Sequence, residues 1–351
     1  MTQPSIPGET VRSAGEHALI ARITARLPRP SWLTVPPGDD AAVMEPEPRT
    51  LEVFTTDALV EGVHFDRRWC SPADIGHKAL AVNLSDLAAM GARPRAALLS
   101  LVLPDSLPVA DLDALLDGLL ELAARHHVAV VGGNITRSAA PAASGFTPGD
   151  GPLVINVTAI GAVGQRQVLT RAGARPGDEI YVTGALGAGA AGLRSLLAGG
   201  DATESATENG ATQRYRRPEP RVRAGLLLGR NKAATACMDL SDGLADGVRQ
   251  LSEASGVGML IDGSLVPVDG DAAGWCAAQG ADALAAAFSG GDDYELLFTV
   301  RPSHRGRLRA VRREVGELPI TRIGTVIRDR RQRVVTATGE QALPDGFEHF
   351  K

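Results

Sequence analysis

The segment Cys237-Met238-Asp239-Leu240-Ser241-Asp242-Gly243-Leu244 sets two carboxylates and a hydroxyl between a short apolar run, Ala233 to Met238, and a stretch that predicts a helix. The free backbone N–H groups of such a strand-to-helix junction form an anion site, and neighbouring carboxylates can hold the cation that accompanies a phosphate. The junction therefore reads as a metal-phosphate site. Taken alone, D-L-S-D-G serves equally well as a helix cap, with Asp239 or Ser241 bonded to the first turn. Four further acidic blocks shift the balance: Asp39/Asp40 after Pro36-Pro37-Gly38, Asp57 after Thr55-Thr56, Asp86, and Asp292/Asp293 after Ser289-Gly290-Gly291. If the blocks converge, carboxylates about 4 Å apart repel by roughly 4 kcal/mol per pair at an effective dielectric near 20, so cations must accompany them. The ligand set is all oxygen, with the Thr55, Thr56 and Ser241 hydroxyls nearby and no His/Cys cluster, which suits Mg²⁺ better than zinc or copper. Mg²⁺ usually completes its octahedron with substrate phosphates and water, so an ATP-dependent phosphoryl-transfer or activation reaction is the natural use. Neither a G-x-x-x-x-G-K-[ST] loop nor an H-R-D/D-F-G set is present.

The elements that must position these residues follow from periodicity and punctuation. Leu19, Ile20, Ile23 and Leu27 have helical spacing that Pro28 and Pro30 end, after a lead at 1–14 read as flexible. A strand at 51–57 delivers Thr55, Thr56 and Asp57 at its C-terminal end. Ser71, Pro72 and Asp74 open the clearest helix and Gly91 stops it, with Asn83 and Asp86 on one face. A strand at 96–103, a helix at 108–125 and a strand at 128–131 ending in Gly132-Gly133-Asn134 follow. A Pro/Ala/Ser/Gly loop at 139–151 and a strand at 153–160 come next. Beyond Arg171 the order repeats: strand 179–183, a glycine-rich helix at 187–197, a polar loop at 199–212, and a helix ending near Gly229. The D-L-S-D-G block, strand 257–261, an Ala-rich helix at 271–287, the last acidic block, and a final helix with two strands complete the chain. The two halves share element order but not letters. This is an α/β (α+β) chain of two domains, 1–165 and 166–351.

Composition narrows the function classes. With 351 residues, 44% of them hydrophobic, the chain can bury real cores; a net charge of −5 favours neither nucleic acid nor an anionic membrane surface. Cys70, Cys237 and Cys276 are widely spaced packing residues, the usage of a reducing cytosol. The first thirty residues hold no continuous apolar core, and no later run approaches the ~20 residues that span a bilayer. A cytoplasmic protein without membrane partners is expected. His126, His127 and His304 receive no role.

Seven motifs in this order resemble the thiamine-monophosphate kinase family, of the superfamily that includes aminoimidazole ribonucleotide synthetase and selenophosphate synthetase. They are G-E-x-x-L-I at 15–20, G-D-D at 38–40, T-T-D at 55–57, A-V-N-L-S-D-L-A-A-M-G-A at 81–92, L-T-R-x-G-A-x-P-G-D at 169–178, D-L-S-D-G-L at 239–244 and S-G-G-D-D-Y-E-L at 289–296. The resemblance implies a two-domain aminoimidazole ribonucleotide synthetase-like fold with mixed sheets backed by helices. It implies an N-terminal ATP/Mg-binding and dimerisation domain, a C-terminal domain completing the active site, and a homodimer. The implied reaction is Mg²⁺-dependent in-line transfer of the ATP γ-phosphoryl to thiamine monophosphate, with several Mg²⁺ ions. By position, Asp40, Thr55, Thr56, Asp57, Asp86, Asn134, Asp239 and Asp242 would hold metal. Gly133, Asn134, Arg171 and Ser241 would face ATP, His64, Asp292 and Phe347 the thiamine end, and Asp242 and Arg171 would carry the catalytic charge balance.

One departure matters. The family usually reads G-G-D-T-T where this chain has Gly132-Gly133-Asn134-Ile135-Thr136, so an expected carboxylate ligand is an amide. A retuned metal position and a tolerated substitution weigh equally. The alternatives to the kinase are another ATP-dependent member of the same superfamily, and a protein weakened by Asn134 that binds without transferring phosphate.

Overall fold

The computed structural model describes residues 8–139, 150–199 and 210–346. The chain divides into two compact units, Met1–Asn83 with Pro94–Ala162, and Leu84–Arg93 with Val163–Lys351.

In the first unit α1 (Val11–Ala14) and α2 (Glu16–Thr24) precede a two-stranded ribbon of β1 (Leu33–Val35) and β2 (Val43–Met44). Then come β3 (Thr50–Val60), α3 (Pro72–Ala89), β4 (Arg93–Pro104), α4 (Val109–Arg125), β5 (Ala129–Ser138) and β6 (Val154–Gly164). The sheet order is β3-β6-β4-β5, with β4 and β5 parallel. Leu112, Leu115, Leu116, Leu119 and Leu122 recur at helical spacing and form the buried stripe of α4. Helices α3 and α4 touch through backbone: a Cβ on Gly76 would lie 1.9 Å from the Leu115 carbonyl oxygen, and one on Gly118 1.9 Å from that of Ala73. Only glycine permits that approach, which sets the height of the helical layer.

The second unit is built on a seven-stranded sheet, order β13-β12-β9-β11-β7-β10-β8. Its strands are β7 (Glu179–Thr183), β8 (Ala236–Asp239), β9 (Gly258–Asp262), β10 (Leu296–Val300), β11 (Ile320–Ile327), β12 (Gln332–Thr336) and β13 (Gly339–Ala342). The helices are α5 (Ala188–Ala198), α6 (Gly210–Arg216), α7 (Val222–Arg230), α8 (Leu244–Ser255), α9 (Gly270–Ala278), α10 (Ala283–Ser289) and α11 (Arg305–Val315). Strands β9 and β12 pair in parallel and the other recorded pairs are antiparallel, so the sheet is mixed. Every residue of β7, β8 and β10 is buried, and Ile180, Val182, Met238, Leu297, Leu244 and Val248 share one core.

Several sequence expectations are corrected. Residues 11–14 are helical, where a flexible lead was expected; Thr10 caps them in a reciprocal arrangement with Ser13. Strand β3 runs on to Val60, so Thr55, Thr56 and Asp57 lie within it rather than at its end. Strand β5 continues through Gly132-Gly133-Asn134 because the parallel partner β4 supplies a ladder as far as Ser138. The Ala-rich stretch is two helices, broken where Gly280 takes φ 66° and Asp282 accepts the Leu284 N–H to start α10. Residues 210–212 belong to α6, and among the described residues three strands rather than two follow α11. The remainder of the 139–151 and 199–212 loops lies outside the described residues, apart from their margins.

Candidate active site

In the second unit β8 delivers Asp239, which is buried and accepts the Ser85 hydroxyl at 2.6 Å. Ser85 stands beside Asp86 on the last turns of α3, so this carboxylate is tied to the helix that carries another predicted ligand. Leu240 donates its N–H to the Glu295 carbonyl and accepts from the Tyr294 N–H, both at 2.9 Å; the Ser241 carbonyl accepts the Asp292 N–H at 2.8 Å. Two glycines permit that contact. A Cβ on Gly243, at φ 91°, would lie 2.2 Å from the Gly290 carbonyl oxygen, and one on Gly291 2.2 Å from that of Ser241. The blocks D-L-S-D-G and S-G-G-D-D-Y-E are therefore laid backbone to backbone, with Ser241 directly against Asp292.

The cap alternative fails here. Helix α8 starts after Gly243 with no side-chain cap; the Ser241 hydroxyl donates to Asp242 Oδ2 at 2.7 Å, and Asp239 is engaged by Ser85. The exposed Ser241 and half-buried Asp242 sit at the open N-terminus of α8, where the first-turn N–H groups favour an anion. Asp292 and Tyr294 adopt φ 64° and 51°, left-handed conformations that cost roughly 1–2 kcal/mol per non-glycine residue. The Tyr294 hydroxyl donates to Asp292 Oδ1 at 3.0 Å. Arg171 is exposed; its guanidinium donates to Gln250, whose amide donates to Asp246 on the first turn of α8.

Beneath this turn lie Asp293, expected in the last acidic block but turned onto backbone N–H groups, and Glu295, to which the sequence assigned no role. Asp293 is buried; the Gly187 N–H reaches both its oxygens, at 3.0 and 2.8 Å, and the Gly189 N–H donates at 3.2 Å. Burial pushes its carboxyl up from 3.8 to about 7, with Glu295 and Asp292 adding to the rise against the two glycine N–H groups. Glu295 is fully buried, accepts the Thr183 hydroxyl at 2.6 Å, and pairs with Arg221 and Arg214. No sequence signal separates them from Asp292: the segment is not a strand, Asp292 and Tyr294 stand at left-handed φ, and Asp293, Tyr294 and Glu295 are all buried.

In the first unit a cavity of about 770 Å³ is bounded by α2, the segment around Asp39 and Asp40, and strands β4, β5 and β6. Asp40, Gly133 and Asn134 line it, with Ser100 and Thr158 alongside. A Cβ on Gly133 would lie 1.8 Å from the Leu99 carbonyl oxygen, so this residue must be glycine for β5 to pair. The Thr56 hydroxyl meets that of Thr158 at 2.9 Å, placing Thr56 on the cavity face of β3, while Thr55 and Asp57 alternate to the other. His64 accepts the Val60 N–H at Nδ1, 3.1 Å away, so its neutral form carries the proton on Nε2; Lys78 donates to its carbonyl at 3.3 Å. Phe347 lies outside the described residues. Gly346 packs against Asp246, 2.9 Å from its position for a Cβ to the Asp246 Cβ.

Among the described residues no group of three or more His, Cys, Asp or Glu forms a ready-made metal cage. The oxygens are instead spread along cavity and turn edges, as suits an ion that brings substrate phosphates as part of its shell.

Residues 38–163 match the family model described as AIR synthase related protein, N-terminal domain, and residues 175–337 its C-terminal domain. The thiamine-monophosphate kinase of Bacillus subtilis is 36% identical over 344 residues, covering 96% of this chain and 99% of that protein. A crystal structure of the kinase of the same name from Stenotrophomonas maltophilia superposes with a TM-score of 0.76 at 36% identity, over 90% of this chain and 94% of that one. A structure of AaThiL complexed with AMPPCP and TMP superposes with a TM-score of 0.74 at 31% identity, over 97% and 99% of the two chains.

Proposed function

The chain belongs to the thiamine-monophosphate kinases of the AIR synthase related family, and from that premise we propose how its own residues divide the work. The activity is ATP-dependent phosphorylation of thiamine monophosphate. A phosphate oxygen of the acceptor attacks the γ-phosphorus in line; the new P–O bond forms as the bond to the β–γ bridging oxygen breaks, and ADP departs with that electron pair. The attacking oxygen is already ionised at neutral pH, so no general base is required, and catalysis rests on positioning and charge balance.

In the second unit Ser241 and the first-turn N–H groups of α8 bind phosphate oxygens, Arg171 offsets phosphate charge, and Asp292 orients the thiamine end. In the first unit Gly133 and Asn134 bind nucleotide, and His64 presents Nε2–H to the acceptor. Phe347 stacks on a thiamine ring. Asp40, Thr55, Thr56, Asp57, Asp86, Asn134, Asp239 and Asp242 are the oxygen donors suited to Mg²⁺, which supplies neutralisation of the phosphate charge when bound with ATP. The observation that carries this reading is the turn itself: Ser241 and Asp292 meet backbone to backbone, with Asp242 next in the chain, at a helix N-terminus that has no side-chain cap, an arrangement a purely structural cap does not need.

The working form is a homodimer through the N-terminal domain. Its support is the edge strand β3, on which Phe54 is 62% exposed beside the exposed Leu51. The compartment is cytoplasmic, in keeping with three buried cysteines, Cys70, Cys237 and Cys276, none of them in a disulfide. No helix among the described residues is long and apolar enough to cross a membrane.

Incubation with ATP, Mg²⁺ and thiamine monophosphate, with thiamine diphosphate quantified by chromatography, tests the reading. Product dependent on all three is expected, and binding of both substrates without product would select the binding-only alternative. Asn134→Asp then tests the amide ligand: the half-saturating Mg²⁺ concentration should fall, and an unchanged Mg²⁺ dependence would make the substitution neutral.

A further inference from the structure

Segment 290–294 is held between two other segments by contacts that leave no room for side chains. On one side lies the 241–243 turn. On the other is the first turn of α5, where a Cβ on Gly189 would come 2.5 Å from the Asp292 carbonyl oxygen, and one on Gly290 would come 2.2 Å from the Ala190 Cβ. The side-chain link across this second junction is Asp293, which gathers the N–H groups of Gly187 and Gly189 at 2.8 to 3.2 Å. Asp293 immediately follows Asp292 and precedes Tyr294, the two residues held at left-handed φ.

We propose that Asp293 is a positioning residue for the acceptor substrate: by fastening α5 to the 290–294 segment, it fixes Asp292 in the backbone conformation that receives thiamine monophosphate. The proposal rests on the reading of Asp292 as a substrate contact and adds the residue that sets its geometry. Asp293 itself is buried and faces backbone, so it touches no substrate. The charged groups around it are Asp292 and Glu295 of its own segment. Glu295 is neutralised by Arg214 of α6 and Arg221 ahead of α7, while α5 offers Asp293 only backbone N–H groups. As pH falls below about 7 the carboxyl takes up a proton, which relieves the cost of burial but leaves a neutral group that no longer accepts N–H bonds equally at both oxygens, so the geometry set by the carboxylate is confined to higher pH.

The test compares Asp293→Asn with the unmodified protein at pH 8 and pH 6, measuring kcat and KM for each substrate. At pH 8 the KM for thiamine monophosphate should rise about 10-fold with kcat within about 3-fold, and the KM for ATP should change less than about 2-fold. At pH 6 the ratio of the two KM values should shrink toward 1, because the native carboxyl is then neutral as well. Protonation of the substrate's own phosphate cancels in that ratio. Amide exchange at Gly187 and Gly189, read by mass spectrometry without substrate, should quicken about 10-fold in the variant at pH 8. If Asp293→Asn does not fold, Asp293→Ser removes the charge and one of the two acceptor oxygens, and the same losses are expected. Equal KM values at pH 8, a ratio unchanged between the two pH values, or a fall in kcat alone would overturn the proposal. Absence of thiamine monophosphate turnover in the unmodified protein would instead overturn the reading beneath it, and the exchange measurement separates the two failures.

Discussion

Replacing Asp293 with asparagine should alter stability by an amount that depends on pH, and the sign follows from burial. The carboxyl has an ordinary value of 3.8 and stands at about 7 in the folded chain. The folded state therefore holds a proton more tightly than the unfolded state. Stability from this group is fully present below pH ~4, declines as pH rises through the window from ~4 to ~7, and is absent above it. The displacement corresponds to about 4 kcal/mol at most, and roughly 2–4 kcal/mol after allowance for water access and coupling to Glu295. Asparagine has no charge to bury. The stability of Asp293→Asn relative to the parent should thus improve by roughly 2–4 kcal/mol between pH 4 and pH 8, or about 5–10 °C in Tm for a unit of this size. Thermal unfolding of both proteins at unit steps over that range, followed by circular dichroism, provides the assay. Carboxyls shifted the other way, such as Glu179 beside Arg305 and Asp66 beside Arg68, are common to both proteins and cancel in the difference. A difference independent of pH would refute the reasoning, because it would show that the glycine N–H groups offset burial completely. If the expected trend holds, the native carboxylate lowers stability where the enzyme works, which is the signature of a residue kept for geometry.

Three further outcomes test separate parts of the structure. Asp242→Asn should lower kcat by about 100-fold with the KM for thiamine monophosphate within about 3-fold; equal turnover at saturating Mg²⁺ would remove Asp242 from the site. Gly133→Ala should cost about 2–4 kcal/mol in urea unfolding, since its Cβ would lie 1.8 Å from the Leu99 carbonyl oxygen, and a native midpoint would mean that β5 moves freely there. Arg221→Met should cost about 3–5 kcal/mol, because Glu295 is 0% exposed and would keep the more exposed Arg214 as its one cationic partner beside the Thr183 hydroxyl; a loss below about 1 kcal/mol would show that these suffice.

The chemistry of the site was legible in sequence because ligand types are local. D-L-S-D-G announces carboxylates and a hydroxyl at a junction whatever lies around it, and the structure sets that junction between β8 and α8. Its partner was not legible. Nothing in S-G-G-D-D-Y-E says that Asp292 will donate its N–H to Ser241, since that contact depends on β8 and β10 being neighbours in the sheet. Boundaries failed where tertiary contact outweighed local propensity. Gly132 and Gly133 read as a strand end, yet β5 passes through them because β4 offers a continuous parallel ladder. In the Ala-rich stretch the error ran the other way: Gly280 and Asp282 carry an ordinary stop and cap, and uniform helix propensity concealed them.

Glycine and acid occur side by side in this chain for a connected physical reason. Side chains would hold the 241–243, 290–292 and 187–190 segments apart, so glycine at 189, 243, 290 and 291 lets their backbones meet directly. Backbone groups that meet must be satisfied, and the Asp292, Tyr294 and Leu240 N–H groups bond across the first junction. The N–H groups of Gly187 and Gly189, at the start of α5, have no carbonyl to bond across the second junction; a carboxylate is the compact group that accepts both, and Asp293 supplies it. Asp292, at left-handed φ just before Asp293, stays half-buried with its N–H bonded to the Ser241 carbonyl. One carboxylate thus closes the fold while its neighbour is presented to substrate, and the same stacking of three backbones accounts for both.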